Sequence, residues 1–219
     1  MSVTKKLHFI CENSDGLLQC SAMPIFNKKN GCSLIKANDD ATRQLIYSLR
    51  YQVYRNIGAV DIDPSERFVD EYDDYSNSFP YLYLMGEKPV GSIRTCIYSK
   101  KFEWQNVPAH KMFAQEIKNE LGENCSLVET TRLVIEPSFQ SFSSGHFFNL
   151  FCAPILMNKL YQPDYMIGTI VPEHVRFYKR FFQFQPISIP KAVPGLNVPS
   201  SVLVAVKGSL FNEICDQKK

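Results

Sequence analysis

The chain has 219 residues, 45% of them hydrophobic and 21% charged, with a formal net charge of +2. That composition can bury a full core, and it excludes collagen, coiled coils and extended disorder. A pI of about 8.1 is too mild for a nucleic-acid footprint. No apolar run reaches the roughly 18 residues of a membrane span. The seven cysteines are scattered with no C-x-x-C, and the four histidines add no ligand spacing, so no metal site is expected. The cysteine pattern fits reduced thiols in a cytoplasmic protein. Near the N-terminus the apolar stretch after Lys5 and Lys6 is too short for a secretory signal.

Residues 1–38 are weakly patterned and read as an N-terminal arm packed on a single domain, 39–219. Strands are expected at 7–11 and 32–36, with a turn at 27–31. Asp39 and Asp40 offer an N-cap, and Leu45, Leu49 and Val53, with Ile46 beside them, predict an amphipathic helix over 40–56. Residues 57–79 read as a loop carrying Asp61, Asp63, Glu66, Asp70, Glu71, Asp73 and Asp74. Phe68, Tyr72, Tyr75 and Phe79 would pin it to the body, and a loop this long suggests a lid. Pro64 and the missing sixth-position glycine exclude an EF-hand.

A hairpin follows, with strands at 81–85 and 90–98 joined by Gly86-Glu87-Lys88-Pro89. A helix over 110–121 ends at Gly122. Then come a strand at 127–135, a helix over 145–161 that Pro154 should kink, and a strand at 165–171. A helix over 173–182 and a last strand at 202–206 complete the order. The layout is mixed α/β around one sheet. No G-x-G-x-x-G follows a strand, so a doubly wound nucleotide fold is excluded.

The segment from Leu133 to Phe151 carries the most chemistry. A strand ends at Pro137, Gln140 follows, and the small residues Ser143, Ser144 and Gly145 lead into a helix at His146. Free backbone N–H groups at a helix start make an anion cradle. The same residues also suit a tight turn with serine caps. Glu129 lies on the central strand, where burial would raise its pKa and fit it to take an amine proton; a salt bridge to Arg94 or Arg132 is the alternative. In strict alternation Glu129 and Arg132 face opposite sides, and only a β-bulge would bring them together. Backbone N–H groups freed between Leu133 and Ile135 would then polarise a carbonyl. Arg94 and Arg132 are either internal ion-pair partners or a clamp for a substrate carboxylate. Arg50 suits a pair with Asp70 or Asp73 that holds the acidic loop over the site. The Cys152 and His146 spacing does not make a nucleophilic pair on a helix.

These residues carry a resemblance. Gln140 and Gly145 hold the first and last positions of a Gln/Arg-x-x-Gly-x-Gly/Ala motif after a strand, with Ser143 in place of the middle glycine. The motif is that of the N-acetyltransferase-like (GNAT) fold, an α+β fold with a central, mostly antiparallel sheet flanked by helices. Phe177 to Phe182 resembles its Tyr-x-x-x-Gly-Phe helix end, without the glycine. Arg50, Asp70, Asp73, Arg94, Glu129 and Arg132, within Arg50-Tyr-Gln-Val-Tyr54, Val69-Asp-Glu-Tyr-Asp-Asp74, Gly91-Ser-Ile-Arg94 and Glu129-Thr-Thr-Arg132, resemble the autoinducer-synthase-like branch, most closely the long-chain N-acyl amino acid synthases. The tryptophan that homoserine lactone synthases carry after the first helix is absent from Ile57-Gly58-Ala59, which favours an amino acid acceptor.

The resemblance implies an N-acyltransferase that moves a medium or long acyl chain to the amine of an amino acid; the alternatives are an acyl-homoserine lactone synthase, a small-amine acetyltransferase, or a non-catalytic acyl- or carrier-binding module on the same fold. The co-substrate would be an acyl-carrier-protein phosphopantetheine thioester or acyl-coenzyme A, with no permanently bound cofactor. Glu129 and Tyr178 would be catalytic, with Tyr178 protonating the thiolate unless it is simply core. Arg50, Asp70, Asp73, Arg94 and Arg132 would serve the acceptor; Leu133, Ile135, Gln140, Ser143, Ser144, Gly145 and His146 would serve the thioester arm. Phe147, Phe148, Phe151, Phe177, Phe181 and Phe182 are either an acyl tunnel or plain core. Arg176, Lys179, Arg180 and Lys191 offer a basic surface for an acidic carrier protein.

Overall fold

The computed structural model describes residues 11–14, 17–20, 32–140, 145–198 and 200–217. Residues 7–10 of the first expected strand and the turn at 27–31 lie outside them. The strands are β1 (Cys11–Ser14), β2 (Leu17–Cys20), β3 (Cys32–Lys36), β4 (Ser78–Met85), β5 (Lys88–Tyr98), β6 (Leu127–Ile135), β7 (Tyr165–Ile170), β8 (Gln185–Pro186) and β9 (Val202–Lys207). The helices are α1 (Asp40–Asn56), α2 (Pro108–Leu121), α3 (His146–Tyr161), α4 (Val175–Phe182) and α5 (Gly208–Gln217). The described strands form one mixed sheet in the order β1-β2-β3-β4-β5-β6-β7-β9-β8. Only β6 and β7 pair in parallel; the other described pairs are antiparallel.

Alternation along the strands divides the core between two faces. Leu82 on β4 faces α1 with Ala37, Ile46 and Val53. Its neighbours Tyr81 and Tyr83 face α3, with Ile93, Val128 and Phe151. Cys96, Leu127 and Ile167 pack under α2. Gly91 lets α3 approach the sheet: a Cβ there would stand 2.8 Å from Leu150 Cδ1 and 3.0 Å from the Val134 carbonyl.

Local chemistry explains most element ends. Asp39 caps α1 by accepting the Thr42 N–H at 2.7 Å. The buried stripe of α1 runs through Ile46, Leu49, Arg50 and Val53, while Leu45, expected on that stripe, is 48% exposed. The acidic segment ends at Ser78, where β4 begins earlier than expected. Pro108 occupies the first turn of α2, where a missing N–H costs nothing, and so extends that helix beyond its expected start. Helix α3 continues through Pro154 and is buried on most sides by the surrounding core. The helix α5 carried no expectation. It starts at Gly208, where a Cβ would lie 2.1 Å from the Pro163 carbonyl.

Candidate active site

The site is built where β6 and β7 part. Their ladder ends at Thr130 opposite Gly168, after which β7 pairs only with β9 as far as Ile170 opposite Val202. The two diverging ends, Thr131 to Ile135 and Thr169 to Val171, wall a cavity of about 680 Å³. Between Ser92 and Arg94 the β5–β6 register slips by one residue, giving β6 a bulge. Arg132 lies in it with φ of 53°, a left-handed conformation unusual for a side-chain-bearing residue. The bulge shifts the alternation, so Arg132 joins Glu129 on the cavity wall.

Glu129 is fully buried. Its Oε2 accepts the Ala109 N–H at the start of α2, at 2.8 Å, and its Oε1 has no hydrogen-bond partner. Burial raises its carboxyl to about 7, while the Ala109 N–H and the charges of Arg94 and Arg132 oppose the rise without cancelling it. No salt bridge joins Glu129 to either arginine among the described residues.

The acidic loop supplies the next wall. Asp73, fully buried, accepts Arg50 Nη1 at 2.8 and 2.9 Å and lies 2.9 Å from Arg94 Nη1. Asp70 caps the 3-10 turn at Glu71–Asp74 and takes Arg94 in a bidentate pair at 2.6 and 3.0 Å. The same carboxylate receives Arg132 Nε and Nη2 at 2.9 and 2.7 Å. Burial opposes ionisation of Asp70, and the two arginines outweigh it, holding the carboxyl well below the usual range. Phe68 packs edge-on against Tyr54 at 4.9 Å, and Arg132 lies over its ring at 4.8 Å.

Of the two roles expected for Arg94 and Arg132, the geometry shows the internal ion pairs. Arg94 and Arg50 expose nothing, and their charges are met by Asp70 and Asp73. Arg50, Asp73 and Arg94 therefore fix the loop, while Asp70 and Arg132 reach the cavity wall already paired. The segment 68–77 is tethered rather than an open lid: the Phe68 N–H bonds the Tyr47 carbonyl, and Asn77 Nδ2 bonds the carbonyls of Ile97 and Gln105.

At the other end lie Leu133, Ile135, Phe139 and Gln140, with Gln140 Nε2 donating to the Ile135 carbonyl at 2.9 Å. Gly145 starts α3 with φ of 72°; Ser143 and Ser144 lie outside the described residues. The His146 side chain is buried with Nδ1 2.9 Å from Tyr83 Oη, and Asn149 Nδ2 donates to that hydroxyl oxygen at 2.8 Å. Tyr178 lines the cavity, and burial raises its phenol, so it keeps its proton at neutral pH. The phenylalanines divide: Phe147 and Phe177 line the cavity, whereas Phe148, Phe151 and Phe182 are core and Phe181 packs on it. Lys191 leaves the expected basic surface, because its ammonium pairs with Glu116 at 2.6 Å and lies over Phe113. Arg176, Lys179 and Arg180 remain exposed.

Sequence reasoning missed Glu71, Tyr72, Lys111 and Met112, and Val193, Pro194, Leu196 and Val198, all of which border the cavity. The one available signal was Pro108, whose place at the helix start puts Lys111 and Met112 on the same face. Among the described residues, no helix is long and apolar enough to cross a membrane.

The mixed sheet flanked by helices is the fold of solved acetyltransferase-like structures. A family model described as N-acyl amino acid synthase FeeM matches residues 45–206, and the chain belongs to that family. FeeM from uncultured soil microbes is 18% identical, with a TM-score of 0.67 over 83% of this chain and 93% of that one. The acyl-homoserine-lactone synthase LasI is 14% identical, with a TM-score of 0.61 over 82% and 91%. The CoA-dependent synthase BjaI, solved with SAM and isopentyl-CoA, is 15% identical, with a TM-score of 0.59 over 84% and 87%. These likenesses show a shared fold. No curated protein sequence matches the chain significantly.

Proposed function

We propose that the chain transfers a medium or long acyl group from a thioester to the amine of an amino acid, with Glu129 as the base. The observation that carries this reading is the free Oε1 of Glu129, buried in the cavity with a carboxyl poised near neutrality. The amine nitrogen forms a bond to the thioester carbonyl carbon and gives a proton to Glu129. The β6 edge beyond the bulge faces the carbonyl oxygen, where backbone N–H groups meet the developing charge. The C–S bond then breaks, and Tyr178 gives its proton to the departing thiolate. Solvent exchange returns Glu129 and Tyr178 to their starting states. Holding the two reactants together in one cavity supplies much of the rate.

For the donor we favour an acyl-carrier protein over acyl-coenzyme A. A carrier arm has one phosphodiester and needs a weaker anion site than a pyrophosphate, and Arg176, Lys179 and Arg180 leave an exposed basic face on α4. The test compares kcat/KM for one acyl chain on both donors. A carrier advantage that salt erodes is expected; parity or a coenzyme A advantage overturns the carrier preference.

A further inference from the structure

Among the described residues lining the cavity, the lysine and arginine side chains are Lys111 and Arg132. Arg132 is committed: both its Nε and Nη2 donate to Asp70. Lys111 is not. Its partner is Glu71 at 2.9 Å, and the two side chains are 58% and 51% exposed. Such a pair is worth little in water and exchanges readily for another carboxylate. Pro108, Lys111 and Met112 stand at i, i+3 and i+4 on α2, so one helix face presents all three to the cavity. The N–H of Ala109, in the same turn, holds Glu129 with its free Oε1. The first turn of α2 thus brings an amine-seeking carboxylate and a replaceable ammonium to one wall, and the positive helix end adds to the ammonium.

We propose that Lys111 is the specificity-determining residue that binds the acceptor's carboxylate, with Glu71 as its stand-in partner when the site is empty. This rests on the N-acyl amino acid reading and refines it. The amine goes to Glu129 and the carboxylate to Lys111, so a substrate carrying both groups on one carbon is selected over a simple amine. Arg94 and Arg132 hold the wall and do not read the substrate.

The test uses the purified full chain, one acyl thioester, and three acceptors of equal side chain: the amino acid, its amide and its decarboxylated amine. The wild type is expected to favour the amino acid at least tenfold in kcat/KM. Lys111→Met should raise KM for the amino acid about tenfold or more, as for loss of one charge-assisted hydrogen bond, with kcat little changed. The amide and the amine should be used as before. Lys111→Arg should restore much of the preference, and Glu71→Gln should lower KM for the amino acid by removing the competitor. Preference retained in Lys111→Met, or an equal loss on all three acceptors, overturns the assignment. A wild type that acylates none of the three removes the acyltransfer-to-amino-acid reading itself, and the assignment with it.

Discussion

Glu129 concentrates two opposed effects in one side chain. A buried carboxyl with a pKa of about 7, against an ordinary 4.5, is disfavoured in its charged form. Folding is therefore unpenalised below about pH 4.5 and loses stability as pH rises toward 7, by on the order of 3 kcal/mol once the group is fully ionised. Glu129→Gln should remove that loss, so the variant gains stability over the wild type at pH 8 and not at pH 4; urea titrations at the two pH values check it. The same variant should lose about 10²- to 10⁴-fold in kcat, and the rising inflection near pH 7 in kcat should disappear. Tyr178→Phe should be milder, about 10- to 100-fold in kcat, because a thiolate leaves well without help. An unchanged kcat would return Tyr178 to a packing role.

The loop and the β6 bulge operate as one element pair. Asp73 meets the charge of fully buried Arg50, so Asp73→Asn strands that arginine, while Arg94 keeps Asp70, and should cost about 3–5 kcal/mol by urea unfolding. Asp61→Asn, on the exposed part of the same loop, should move stability by less than about 0.5 kcal/mol. At the end of α4, Gln183 holds φ of 58° and Phe184 after it is buried, so a glutamine occupies the left-handed place that glycine fills with least strain. Gln183→Gly should stabilise by about 1 kcal/mol. The acidic loop and its arginines were legible from the residues as partners, because charges this close in sequence pattern must be met. The exact pairing was not: Arg50 was expected on Asp70 or Asp73, and only the fold gives Asp73 to Arg50 and Asp70 to Arg132. The bulge was legible only as a condition, since alternation put Glu129 and Arg132 on opposite faces and a slip of register depends on the neighbouring strand.

At the scale of the molecule, strong periodicity and clean caps made α1, the β4–β5 hairpin, β6 and α2 readable to within a few residues. The short β8 and the terminal α5 were not readable, because they are held by tertiary contacts rather than by pattern. Phe147 and Phe151 lie one turn apart on α3, yet one meets the cavity and the other the core, a division set by where β6 and β7 part. In the proposed reaction the same parting would let a donor thioester and an acceptor amine enter one wedge and meet at Glu129. The decisive measurement is mass spectrometry of the products formed when the purified chain is mixed with an acyl thioester and amino acids. An N-acyl amino acid should appear with one free thiol per amide, and Glu129→Gln should slow the formation of both by at least about 10²-fold. Thiol release at the same rate without any amino acid, or amide formation undiminished in Glu129→Gln, would contradict the proposed chemistry.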